Sequence, residues 1–264
     1  MFRLQKDTSY MMPAHFGGSP FDTSYRARQK ATMIAMTFET ERAELERYIP
    51  EELELRAPEV QVAFNQLTEI NWLAGGHYNL VNVSAPVRFN GKKDQVDSAY
   101  PLVIWENRTA PILTGREQTG VPKIFADIED LHVYQPLYAT SVSYEGNTFL
   151  SMQFEAKPPM TGKELEQAKL QYRSLDLLGW RYIPKVGAPG ADLSQFIFFP
   201  QWMEVENVCE GKGTLRWTEL SVMQNPRQYQ IIKALAALPV KKMIRSAMAE
   251  GEVILDTTQA RVLA

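Results

Sequence analysis

What most constrains the fold is the recurrence of short segments in which apolar and polar residues alternate. ATMIAMTF (31–38), EVQVAFNQL (59–67), LVNVSAPVRF (80–89), PLVIWE (101–106), YATSVSYE (138–145) and TFLSMQFEA (148–156) come first. SQFIFFP (194–200) and GEVILD (251–256) follow, and WMEVENV and TLRWTELSV flank Glu210-Gly-Lys-Gly213 like the arms of a hairpin. A period of two sends successive side chains to opposite faces of a strand, so each segment can bury one face. Many such strands at hairpin spacing predict a mainly β chain of the α+β class, a curved antiparallel sheet or β-barrel with a few short helices. Three helices carry start signals. Thr40 precedes ERAELERYI, Thr161-Gly-Lys-Glu164 forms a capping box before ELEQAKLQY, and RQYQIIKALAAL begins after Pro226 and stops at Pro239. APILTGREQ (110–118) also fits a short helix. There is no internal repeat, and Pro158-Pro159 reads as a loop, so residues 1–264 are expected to form a single domain.

Composition narrows the function. The 28 basic and 31 acidic residues give a net charge of −3 without long single-sign runs, which argues against nucleic-acid and membrane-surface partners and for a small molecule. A lone Cys209 excludes an internal disulfide and a thiolate zinc site. The apolar stretches are too short for a membrane span and the N-terminus lacks a signal-like run, so the expected compartment is the cytoplasm. The histidines His15, His77 and His132 are scattered and offer no metal-ligand spacing; GxSxG and GxxxxGK[ST] are absent. Gly187-Ala-Pro-Gly190 reads as a surface turn, and Trp72 and Trp105 as core.

An amine nucleophile remains. Lys123 follows a turn-forming Gly-Val-Pro and sits among Val121, Ile124 and Phe125. A lysine that condenses with a ketone forms an iminium, which accepts the electron pair released when a bond to the neighbouring carbon breaks. That chemistry needs a neutral amine. A solvated lysine, with a pKa near 10.4, is about 0.1 % neutral or less at pH 7, so burial or a nearby cation must assist.

The segment ENRTAPILTGREQTGVPKIFADI resembles the signature of the acetoacetate decarboxylase superfamily, in which Gly-Arg-Glu (here Gly115, Arg116, Glu117) leads into Pro-Lys (Pro122, Lys123). YIPEELEL (48–55), PVRFNG (86–91), WMEVENV and LPVKKMIRSAMAEGEVIL (238–255) extend the resemblance over most of the chain. It implies that Lys123 is the Schiff-base residue, that the substrate is a small keto acid, that no cofactor is required because the iminium is the electron sink, and that the protein is a homo-oligomer.

The departures from that family redirect the expected chemistry. The second lysine that follows the nucleophile in the decarboxylases, and lowers its pKa, is Ile124 here. Desolvation by Val121, Ile124 and Phe125 is then expected to dominate, with Arg116 as a replacement charge if it turns inward. Of the two pocket glutamates, the first falls at Ala63, Phe64 or Asn65 and the second at Asn79 or Leu80, none acidic. The pocket arginine has only Arg26, Arg28 and Lys30 as loose candidates. The expected site is therefore Lys123 as nucleophile and Tyr78 as proton relay, with Gln118, Arg116, Asn65 and Arg28 binding substrate. Without the acids and the second lysine, aldolase-dehydratase or hydratase chemistry on 2-keto acids is expected ahead of acetoacetate decarboxylation. Two alternatives come from another class: a non-catalytic barrel that binds a small carbonyl or hydrophobic ligand, and a purely structural oligomeric subunit with no cavity and Lys123 exposed.

Overall fold

The computed structural model describes residues 1–17 and 26–264. Its elements in chain order are β1 (Arg26–Glu39), α1 (Arg42–Glu46), β2 (Leu53–Leu55), β3 (Glu59–Ile70), β4 (Gly76–Asn90), β5 (Gln95–Glu106), α2 (Thr109–Thr114), β6 (Lys123–Phe125), β7 (Asp127–Ile128) and β8 (His132–Tyr134). There follow β9 (Leu137–Tyr144), β10 (Asn147–Ala156), α3 (Gly162–Lys169), β11 (Leu177–Pro184), β12 (Ala191–Phe199), β13 (Gln201–Trp217), α4 (Tyr229–Ala236), β14 (Lys242–Asp256) and β15 (Arg261–Val262). The main strand order is β15-β12-β11-β5-β4-β3-β1-β14-β13-β10-β9-β7, with β2 on β4, β6 on β5 and β8 on β9. Pairing is antiparallel except where β5 meets β11 and β6 in parallel. The order ends on two different edge strands, so the sheet is open and mixed, not a closed barrel. No helix among the described residues is long and apolar enough to cross a membrane.

Alternation determines which side chains meet. The largest core takes Ile34 and Met36 from β1, Val62 and Phe64 from β3, Val81 and Val83 from β4, and Val103 and Trp105 from β5. Phe149, Leu150, Met152 and Phe154 of β10 pack there too, and α4 contributes Ile232 and Leu235. Fully burying each large apolar side chain is worth about 1.5–3 kcal/mol. The opposite face supplies a second core around Met33, Leu67, Tyr78, Met203 and Val253.

Three local expectations are corrected. Residues 201–217 form one 17-residue strand, not a hairpin, because Gly211 and Gly213 are there for close packing and not for a turn. A Cβ on Gly211 would lie 2.6 Å from the Phe154 ring, and one on Gly213 would lie 2.7 Å from the Met36 sulfur. The N-terminal part of β13 pairs with β14 and its C-terminal part with β10. Between them, Val205 pairs with Gly251 and Asn207 with Glu250, so Glu206 is an extra residue in a bulge. Second, α1 starts at Arg42 with Glu41 as N-cap, while Thr40 is buried and its backbone N–H donates to the Pro58 carbonyl (2.8 Å). Third, residues 177–184 form the strand β11, which their pattern did not announce.

Candidate active site

β5 is buried on both faces near its end: Val103, Ile104, Trp105 and Glu106 are all inaccessible or nearly so. Alternation turns Val103 and Trp105 into the main core and leaves Ile104 and Glu106 on the other side, lining a cavity of about 390 Å³. After Glu106 the chain turns through α2 and a π-helical turn, Gly115–Thr119, passes the left-handed Gly120 (φ 66°), and returns as β6. π-helical turns widen the helix and are frequent at functional sites. The register Ile104↔Lys123 and Glu106↔Phe125 brings Lys123 onto the face of Ile104 and Glu106.

Lys123 therefore reaches along β5 to the buried carboxylate, with Nζ 2.8 Å from Glu106 Oε1. The two groups form an ion pair, and among the described residues no other group hydrogen-bonds either carboxylate oxygen. The ammonium donates to the Pro111 carbonyl at 3.3 Å. Burial raises the Glu106 carboxyl above its ordinary pKa, and the Lys123 charge offsets only part of that. A carboxyl with a raised pKa, 2.8 Å from an amine, is a proton acceptor and donor at reaction distance.

The backbone is shaped to admit this lysine. A Cβ on Gly115 would sit 2.6 Å from Lys123 Cδ and Cε and 3.0 Å from Nζ, so a side chain there would push the lysine off its present path. At Gly179 in β11, an added Cβ would meet the Thr119 carbonyl at 1.9 Å, and the Trp180 N–H donates to the Gly120 carbonyl at 3.0 Å. On the core side, buried Gln228 before α4 accepts from Trp105 Nε1 and donates to the Phe125 carbonyl, both at 2.8 Å, tying β6 to β5.

Tyr78 is buried at the same cavity, which Gln29 also lines. Burial first, and the nearby Glu106 charge second, push the Tyr78 pKa well above its usual range, so the phenol holds its proton at neutral pH. Gln118 lines a narrow recess of about 30 Å³ on the helix side of Lys123, with Thr114, Trp72 and Tyr78. Asn65 lines the main cavity beside Ala63, whereas Phe64 points into the core. Of the second pair, Leu80 faces the cavity; Asn79 faces away and donates to the Ile128 carbonyl (3.2 Å) and to Asp130 (2.8 Å).

Other expected residues lie elsewhere. Arg28 is exposed on the far face of β1, paired with Glu204 and Glu252, because Gln29 and Met33 occupy the cavity-facing phase of that strand. Arg116 is exposed and donates to the Lys123 carbonyl at 3.1 Å, holding the backbone of the lysine and not its amine. Ile124 packs against the main core and Phe125 is 40 % exposed, so neither surrounds the amine; Val121 lines the cavity and Gly115 lies against the lysine. His77 is exposed. Glu106 was the residue missed. An acid ending a run of four apolar residues was its sequence signal, because a strand buried on both faces must bury its last residue too.

The chain belongs to the acetoacetate decarboxylase family, which it matches over residues 11–257. An acetoacetate decarboxylase of Acidiphilium cryptum is 33 % identical over 121 residues, a stretch that spans about half the length of that relative (46 %) and 46 % of this chain. The fold is similar to that of an acetoacetate decarboxylase of Legionella pneumophila (TM-score 0.75, 17 % identity, 100 % of this chain and 98 % of that one). It is also similar to the enduracididine biosynthesis enzyme MppR complexed with pyruvate (TM-score 0.71, 14 % identity, 97 % of this chain and 98 % of that one).

Proposed function

We propose that the protein is a Schiff-base-forming lyase that acts on a small keto acid through Lys123, with aldol, dehydration or hydration chemistry on 2-keto acids as its main reaction. The observation that carries this reading is the Glu106 carboxylate, fully buried and 2.8 Å from the Lys123 amine. Burial favours the neutral form of Glu106, and one proton moved from the amine to this carboxylate gives the neutral nucleophile beside a neutral acid. The amine attacks the keto carbon, and one of the attacking nitrogen's protons passes to the carbonyl oxygen, which gives a neutral carbinolamine. The resulting hydroxyl leaves as water with a proton from the Glu106 carboxyl, which yields the iminium and restores the carboxylate. That carboxylate then removes a proton from the carbon beside the iminium, and the electron pair of the broken C–H bond forms the enamine.

The enamine attacks an aldehyde, whose oxygen takes the proton now held by the Glu106 carboxyl, or the reverse step cleaves a carbon-carbon bond; a β-hydroxyl can instead leave as water with the Glu106 proton relayed through Tyr78. A β-keto acid needs no such base, because loss of carbon dioxide from its iminium gives the enamine directly. Family membership favours that decarboxylation as the second reading. The placement of a base favours the first.

The test is borohydride reduction with pyruvate and, separately, acetoacetate, followed by peptide mass mapping. The expected result is one adduct, on the peptide containing Pro122-Lys123-Ile124, absent from Lys123→Ala. Carbon dioxide release from acetoacetate is then measured beside ultraviolet detection of a conjugated product from pyruvate and an aldehyde. An adduct persisting in Lys123→Ala would sink the lyase reading, and rapid release without conjugated product would return the reaction to decarboxylation.

A further inference from the structure

Lys123 stands between two spaces of unequal size. On the helix side is the recess of about 30 Å³ that holds Gln118; on the sheet side is the cavity of about 390 Å³. The larger space exceeds the recess more than tenfold, which leaves room beyond the carbons held next to Lys123. The strand register describes its floor. Ala63, Asn82, Ile104 and Lys123 form one row across β3, β4, β5 and β6, so Asn82 lies two strands from the lysine, at about 4.8 Å per strand. Ser84 and Gln61 form the next row outward.

The chemistry of this far part is one-sided. Among the described residues lining the cavity, Lys123 is the only cation and Glu106 and Asp176 are the carboxylates. Asp176 is fixed by the Ser174 hydroxyl (2.6 Å) and the Gln201 backbone N–H (2.9 Å). Asn82 Oδ1 is buried without a hydrogen-bond partner. A second anionic group of the substrate would lie there beside the Asp176 carboxylate with no countercharge, whereas hydroxyl groups can both donate and accept.

We propose that the part of the cavity lined by Asn82, Ser84, Gln61 and Asp176 is a subsite for an uncharged, hydroxylated tail, so that the substrate is a 2-keto acid extended by hydroxyl-bearing carbons and not a dicarboxylate. This rests on the Schiff-base reading. The 2-carboxylate, next to the iminium carbon, is directed to Gln118 in the small recess, and the tail runs along the row toward Asn82.

The test is borohydride trapping on Lys123 with 2-keto acids of six carbons whose tails are hydroxylated, alkyl or carboxylate-ended, with pyruvate as the control. The hydroxylated acid is expected to half-saturate trapping at a concentration at least tenfold lower than the carboxylate-ended acid. Asn82→Leu should remove its advantage over the alkyl acid. Gln61→Lys, at a solvent-accessible position, should narrow the gap by favouring the carboxylate-ended acid, and it serves if Asn82→Leu does not fold. Equal trapping of the three tails, or preference for the carboxylate-ended acid in the unaltered protein, overturns the subsite while leaving pyruvate trapping intact. Failure of every acid, pyruvate included, overturns the Schiff-base reading and the subsite with it.

Discussion

The two faces of β3, β4 and β5 are made by the same strands and do opposite things. One face carries Val62, Phe64, Val81, Val83, Val103 and Trp105 into a dry core. The other, one residue out of phase, carries Ala63, Asn65, Asn82, Ser84 and Glu106 into the cavity. The apolar face supplies the burial that holds the strands in register, and the polar face exploits that register to bring an acid and an amine to 2.8 Å. Desolvating Glu106 is costly, and the cost is borne by the core on the reverse side of the same backbone.

Neighbouring substitutions on the two faces should give the largest contrast. Phe64→Ala opens a cavity in the main core and is expected to cost about 3–5 kcal/mol, whereas half-buried Asn65→Leu, directed at the cavity, should cost less than about 1 kcal/mol. Urea unfolding midpoints measure both, and equal losses would mean that the faces are not energetically distinct. A smaller effect is expected at the site itself. Gly115→Ala pushes against the Lys123 stem and should lower imine trapping by roughly a hundredfold, about 2.7 kcal/mol, with little change in unfolding midpoint. A fold that unravels in this variant would show that Gly115 serves stability first.

The smallest expected effect is a slope with pH. Because the folded pKa of Glu106 is raised, the native state holds this proton more tightly than the unfolded chain, whose carboxyl titrates near 4.3. Its contribution is fully present below that value and is lost as pH rises through the raised folded pKa. Glu106→Gln removes the titration, so the variant should gain on the unaltered protein from about pH 4.3 upward. Parallel stability curves would show that Lys123 fully compensates the buried charge.

Much of this arrangement is legible in the sequence because it rests on alternation. The long strands and the α4 stop at Pro239 follow from periodicity and breakers, and Lys123 from its turn and flanks. What was hidden depends on close approach between distant segments. Gly179 lies within β11 because the Thr119 carbonyl leaves no room for a side chain there, a contact made only once distant segments meet. Gly211 and Gly213 imitated a turn for the same reason. Arg28 misses the cavity by one residue: a strand's phase decides whether residue 28 or 29 faces it, and no local signal fixes that phase. Glu106 gained its partner only once β5 and β6 were paired in parallel.

The bulge at Glu206 has a consequence in the language of insertions and deletions. Before it, Met203 and Val205 face the second core; after it, Val208 faces that core, while Cys209 and Leu215 turn to the main one. One residue thus switches which parity of β13 points where, and it lets a single strand serve both cores. The length of the chain here matters more than the identity of Glu206, whose own side chain lies on the surface. Substitutions at position 206 leave the count intact, but losing the residue would throw every later side chain of β13 onto the wrong face.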